Sequence, residues 1–144
     1  MFIGEYRHNV DQKGRLAVPV KFKGVLSKGV VVTRGFDKCL FIYTKTEWEK
    51  FVKEKVAKLP LGKVEARSLQ RRLLGGAMDL GLDKQGRIVL PDYLRKFSNI
   101  KKNVVIAGLL DHLEIWDAME WNKEKTKIEK SNIDIAEKLE ELNF

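Results

Sequence analysis

Two nine-residue segments hold the side chains best placed to do chemistry. Residues 11–19 read Asp-Gln-Lys-Gly-Arg-Leu-Ala-Val-Pro, and residues 83–91 read Asp-Lys-Gln-Gly-Arg-Ile-Val-Leu-Pro. Each sets an arginine four residues after an aspartate. A carboxylate dyad from Asp11 and Asp83 is disfavoured, because an arginine so near would hold each acid ionised. Arg15 and Arg87 offer a different chemistry. Each has a planar fork of donors suited to phosphate oxygens or a guanine edge, with Lys13 and Lys84 as neighbouring point charges. A purely structural reading stands beside it, in which Asp11–Arg15 and Asp83–Arg87 are ion pairs locking their loops. Both hold if the aspartate aims the arginine.

Catalytic and metal patterns are missing from the sequence. It has no phosphate-binding Gly-rich loop, no Gly-x-Ser-x-Gly elbow, no Cys-x-x-Cys and no His-Glu-x-x-His. The soft candidate ligands are His8, Cys39 and His112, too few for a metal site, so packing or turn roles are expected. The reading is of a non-enzyme with no cofactor, no metal and no small-molecule substrate.

The elements that must position the two segments repeat with them. Tyr6, His8 and Val10 precede the first motif as Met78, Leu80 and Leu82 precede the second, alternating as strands do. Downstream the offset grows by one residue, placing Val31, Val32 and Gly35 on Val104, Val105 and Gly108. Leu40, Ile42, Tyr43 and Glu47-Trp48 then fall on Leu113, Ile115, Trp116 and Glu120-Trp121. Cys39 and His112 occupy one repeat position. Each unit therefore reads as strand, tight turn, strand, short helix, strand, hairpin strand and longer helix.

Gly14 and Gly86 supply the positive φ of the tight turns, whose backbone the aspartates can fix. Pro19 and Pro91 open short helices at Val20–Leu26 and Asp92–Phe97, and Gly35 and Gly108 are read as hairpin turns. Thr44 with Glu47 forms a capping box, matched by Asp117 with Glu120. The helix begun at Thr44 shows Trp48, Phe51, Val52, Val56 and Leu59 on one face and stops at Pro60. A linker helix over about Lys63–Leu74 bears Lys63, Arg67 and Arg71 as a basic stripe with Arg72 beside it, a secondary candidate for DNA contact. Ser131 is read as a cap for a last stripe of Ile135, Leu139 and Leu142. The expected division is a first repeat at 4–48, a helical linker at 49–76, a second repeat at 77–121 and a C-terminal helical segment at 122–144.

Composition bounds the partner. The 144-residue chain carries a net charge of +8. Residues 1–76 hold 17 Lys and Arg against 7 Asp and Glu, a balance of +10, whereas residues 77–144 hold 11 against 13, a balance of −2. A polarised basic surface points to a polyanion, nucleic acid foremost, although the 20 lysines could equally serve solubility. On this division Arg15 should matter more than Arg87. The start, Met-Phe-Ile-Gly-Glu-Tyr-Arg, has charges where a secretory leader needs its apolar core. One cysteine excludes an internal disulfide framework. A cytoplasmic location with no membrane partner is expected.

The paired Asp-x-x-x-Arg motifs, each followed by three apolar residues and a proline, resemble the MraZ family of bacterial transcriptional regulators. Matching features are the Met-Phe-x-Gly start, Gly35-Phe-Asp-Lys-Cys39-Leu40, the Arg-rich linker helix and Glu114-Ile-Trp116. The resemblance spans essentially the whole chain. Either half alone resembles the wider AbrB/MazE-like (SpoVT-AbrB) superfamily. It implies an α+β fold with a mainly β core: a swapped-hairpin, double-psi-like β-barrel built by two tandem repeats, with linker and C-terminal helices. It further implies a nucleoid-associated repressor of its own operon of cell-division and cell-wall genes. The protein would bind tandem upstream repeats of double-stranded DNA as a ring-shaped homo-oligomer. Arg15 and Arg87 are then the motif arginines, and Asp11 and Asp83 their partners. Lys23, where the second helix has Arg95, is a mild departure. Two readings compete. One is an antitoxin-like or assembly protein acting through protein contacts. The other, an RNA binder, lacks the exposed aromatic pairs that stacking would use.

Overall fold

The structure, a computed structural model, describes the backbone of residues 1–144 and all side chains but those at 132 and 133. The first repeat contributes β1 (Phe2–Asn9), β2 (Arg15–Ala17), a 3-10 turn at Val20–Phe22 running into α1 (Lys23–Leu26), β3 (Val30–Arg34), β4 (Leu40–Thr44) and α2 (Lys45–Glu54). A 3-10 turn at Val56–Lys58 leads to α3 (Val64–Gln70), which ends in a π turn at Arg71–Gly75. The second repeat follows the same order: β5 (Met78–Leu80), β6 (Arg87–Val89), α4 (Asp92–Phe97), β7 (Asn103–Leu110), β8 (Leu113–Asp117) and α5 (Ala118–Lys130). The chain then continues into α6 (Asn132–Lys138).

The two repeats do not fold side by side. Six strands form one antiparallel sheet in the order β1-β7-β8-β4-β3-β5, and β2 pairs with β6 in a separate ribbon. Thus β1 of the first repeat lies on β7 of the second, and β5 of the second on β3 of the first. At the centre Leu40 faces Ile115 and Ile42 faces Leu113, pairs that a pseudo-two-fold axis exchanges. One core serves both halves. Leu16, Ile88, Leu90, Leu94 and Leu26 pack under the ribbon and short helices against Val30, Ile42, Ile106 and Ile115 of the sheet.

The sheet's other face carries Phe41, Tyr43 and Trp116, covered by Trp48 and Phe51 of α2 and Trp121 of α5. Strands buried on both faces explain the runs of apolar residues where alternation would mark a half-exposed sheet.

Five expectations need correction. Among the described residues strand pairing closes no barrel: the sheet ends at β1 and β5, and the Val10–Leu16 bridge links it to the ribbon. The Asp-Gly turns and Pro19 and Pro91 hold β2 and β6 to three residues each, and these pair with each other. The repeat register also differs in the third strand. Val30 pairs with Thr44 as Val104 pairs with Asp117, so Val30, not Val31, is the counterpart of Val104. Gly108 consequently lies inside β7 and makes no turn. It faces Gly4 across β1, and a Cβ there would sit 2.5 Å from the Ile3 backbone nitrogen.

The helix after Thr44 ends at Glu54, with a 3-10 turn before Pro60. Thr44 accepts from the Glu47 N–H at 3.2 Å as expected. Ser131, finally, closes α5 instead of capping α6: its hydroxyl donates to the Lys127 carbonyl at 2.6 Å.

Candidate nucleic-acid interface

The two motifs build the same turn to within a tenth or two of an ångström. Asp11 Oδ1 accepts the backbone N–H groups of Lys13 and Arg15, both at 2.9 Å, and its carbonyl accepts from Gly14 at 3.0 Å. Asp83 Oδ1 accepts from Gln85 and Arg87, again at 2.9 Å, and its carbonyl from Gly86 at 3.0 Å. Gly14 and Gly86 take φ of 81° and 74°, a region where a side chain would be strained. Each aspartate then uses its second oxygen on the arginine. Nε of Arg15 donates to Asp11 Oδ2 at 2.6 Å, and Nε of Arg87 to Asp83 Oδ2 at 2.8 Å.

The ion pairs of the structural reading are present, and they leave part of each guanidinium without a partner. Of each guanidinium the carboxylate engages only Nε, and among the described residues the terminal guanidinium nitrogens of both arginines carry no hydrogen bond. The backbone N–H of Arg15 is the main influence holding the Asp11 carboxyl below its ordinary value, and that of Arg87 does the same for Asp83. The arginine side chains add to this. An ionised, turn-anchored aspartate that aims a fork outward cannot serve as a general acid.

The ribbon brings the arginines together. Leu16 faces Ile88 and both are fully buried, so Arg15, Ala17, Arg87 and Val89 alternate to the outer face. Crossed backbone bonds join the two turns, from Val18 to the Gly86 carbonyl at 3.0 Å and from Leu90 to the Gly14 carbonyl at 2.8 Å.

Each turn is overlaid by a cation from the other repeat. The Arg95 guanidinium lies against Gly14, its Nε donating to the Leu90 carbonyl at 3.1 Å, and the Lys23 alkyl chain lies against Gly86. Lys101 and Lys102 line a hollow with Asp11 and Gln12, and the Lys102 carbonyl accepts from Val10. Sequence reasoning noted Lys23 and Arg95 only as a repeat mismatch and missed Lys101 and Lys102. Their adjacent charges were legible, but their approach to the first turn depends on strand exchange. Lys13 and Lys84 are exposed on the turns, though not at equivalent positions: Lys84 stands where the first turn has Gln12.

Among the described residues, no hydrogen bond or ion pair joins the linker stripe to this cluster. Arg67 is tied to the Leu61 carbonyl at 2.8 Å, while Lys63 and Arg71 are exposed. Arg72 is structural: it donates to the Gly35 carbonyl and lies over the Phe97 ring at 4.8 Å. Cys39 and His112 serve packing. Cys39 is fully buried with its thiol donating to Glu114 at 3.6 Å, and burial raises its pKa. The His112 ring stacks on Tyr43 at 5.0 Å. No helix among the described residues is long and apolar enough to cross a membrane.

Comparison with known proteins places this arrangement. The family described as "MraZ protein, putative antitoxin-like" matches residues 1–72 and again residues 73–143. Proteins named transcriptional regulator MraZ from Roseiflexus castenholzii and from Roseiflexus sp. strain RS-1 are each 46% identical over 144 residues, covering both chains in full. A doubled match along the chain, and identity sustained from end to end, show that this chain belongs to the MraZ family.

Proposed function

We propose that the protein is a sequence-specific double-stranded DNA-binding transcriptional regulator without catalytic activity. One observation carries the reading: two aspartate-anchored turns present Arg15 and Arg87 on the outer face of a single ribbon, with Lys23 and Arg95 laid over the turns. A two-stranded ribbon fits the major groove, and arginines held by one nitrogen keep two for phosphate or guanine. The names of the relatives, transcriptional regulators, agree with it. Lys13 and Lys84 extend the same face.

The finer reading is a cytoplasmic, nucleoid-associated repressor that binds tandem repeats upstream of its own cell-division and cell-wall operon. The exchange of β1 and β5 between repeats supports a swapped-hairpin arrangement of the AbrB-like kind. A ring-shaped homo-oligomer fits the apolar side chains left exposed on α5 and beyond, namely Met119, Ile128, Ile135 and Leu142. Those residues also favour the antitoxin-like alternative, in which protein contacts are the main business. We further propose the two repeats and their helical segments as one folding unit, since each supplies strands to the other.

The deciding experiment is a salt titration of binding to the duplex upstream of the chain's own gene, with wild type, Arg15→Ala and Arg87→Ala. A DNA-binding ribbon predicts a steep loss of affinity with salt. Each arginine variant should bind about 10- to 100-fold more weakly, with an unchanged melting temperature. Arg95 of the second repeat reaches the first turn and Lys23 of the first repeat the second, so each turn gains a cation and both variants should suffer. Unchanged affinity and slope in both would move the surface elsewhere, to Lys63, Arg67 and Arg71. Salt-insensitive association with protein alone would favour the alternative.

A further inference from the structure

We propose that Val89 reads the 5-methyl group of a thymine, and so sets part of the base specificity of the ribbon. The inference rests on the DNA-binding reading above. Arg15 stands directly opposite Val89, and Ala17 opposite Arg87. The outer face is therefore a four-cornered patch with arginines on one diagonal and apolar side chains on the other, direct partners lying roughly 5 Å apart at Cβ.

Val89 is 51% exposed and belongs to neither apolar cluster of the protein. A bare branched side chain between two cations gains nothing from water, and its stiff χ1 places its methyls at little entropic cost. It has no donor or acceptor to offer a phosphate. The apolar feature that the major groove presents at base edges is the thymine methyl. Charge complementarity brings the ribbon to DNA, and Val89 then meets the groove floor between the two arginine forks.

The patch also departs from the pseudo-two-fold of the fold. The residue equivalent to Val89 is Ala17, half-buried and two methyls shorter. The turns differ likewise, with Gln12-Lys13 in one and Lys84-Gln85 in the other. A symmetric ribbon would read a palindrome. Here only the Val89 side reaches a methyl, so one ribbon reads an asymmetric site with thymine favoured beside the guanine or phosphate taken by Arg15.

The test replaces each thymine of the upstream duplex in turn with deoxyuridine, which removes only the 5-methyl group. Affinity is read by fluorescence anisotropy at fixed salt. Wild type should lose about three- to fourfold at the contacted thymine, the worth of burying one methyl-sized group. Val89→Ala should lose a similar factor on the unmodified duplex and show no further loss from that deoxyuridine. Its salt slope and melting temperature should match wild type. Val89→Thr, of the same shape, controls for folding. Equal sensitivity of wild type and Val89→Ala at that position overturns the proposal, as does a flat scan for wild type. A flat scan with steep salt dependence defeats the thymine contact alone. Absence of any salt-dependent binding defeats the DNA-binding reading with it.

Discussion

Replacing Gly108 by alanine should damage the clasp between the repeats at a defined place. Gly108 pairs with Gly4 across β1 and β7, and its own φ is ordinary, so the objection to a side chain is purely steric. An added Cβ would stand 2.5 Å from the Ile3 nitrogen, 2.7 Å from the Phe2 carbonyl carbon and 2.8 Å from the Ile3 Cα. These are backbone atoms and cannot swing aside. To restore ordinary contact β1 must retreat by about 1 Å, which strains ladder bonds near their working length and pulls on Phe2. Phe2 is buried, with its ring edge-on to Phe22 at 4.9 Å. Overpacking of this kind costs about 1–3 kcal/mol. At about 3 °C per kcal/mol for a chain of this size, the melting temperature should fall by about 3–9 °C. Gly24→Ala is the matched control. Nothing lies within 4 Å of a Cβ built there, and it sits in α1, so alanine should stabilise by about 0.5–1 kcal/mol. Thermal unfolding followed by circular dichroism at several protein concentrations reads both. A Gly108→Ala melt within about 1 °C of wild type, or an equal fall in Gly24→Ala, would refute the steric reasoning.

Two other outcomes follow from the turns. Arg95→Ala removes a cation laid on the first turn, so the salt slope of DNA binding should flatten by about 0.9 per bound subunit. A slope unchanged from wild type would confine Arg95 to its bond with the Leu90 carbonyl. Asp11 and Asp83 should titrate below the ordinary carboxylate value of 3.8. A depressed carboxylate adds stability above that value and loses it as pH falls through the folded-state pKa, so the turns should loosen only in strong acid. Carboxyl chemical shifts across an acid titration would read this. Arg15→Ala should return Asp11 only part of the way, since two backbone N–H donors remain, and a full return would contradict the backbone as the main cause.

Much of the fold was legible because its punctuation is local. Asp11 and Gly14 specify a turn by their own hydrogen bonds and φ, Pro19 and Pro91 start helices wherever the chain goes next, and Thr44 caps α2 with a group three residues away. These features needed no knowledge of partners, and the structure keeps the same order of elements in both repeats. The errors lie where a residue's meaning depends on a distant strand. Gly108 looked like a turn glycine, and only the approach of β1 explains it. The repeat alignment slipped by one at Val31 because Val30, Val31 and Val32 are interchangeable until pairing with β5 and β4 selects one face.

For the site, the arginines, their aspartates and the turn glycines could be named from the chain alone, because four-residue spacing and positive φ act within a single loop. What the motifs would do together was decided only in three dimensions. Pairing β2 with β6 set Arg15 and Arg87 on one face, exposed Val89 between them, and brought Arg95 and Lys23 across to the opposite repeat's turn. Long-range pairing is chosen by the burial of Leu16 and Ile88 in a core that both repeats share. No window of sequence contains that core, so the turns belonged to the sequence and the surface they form belonged to the fold.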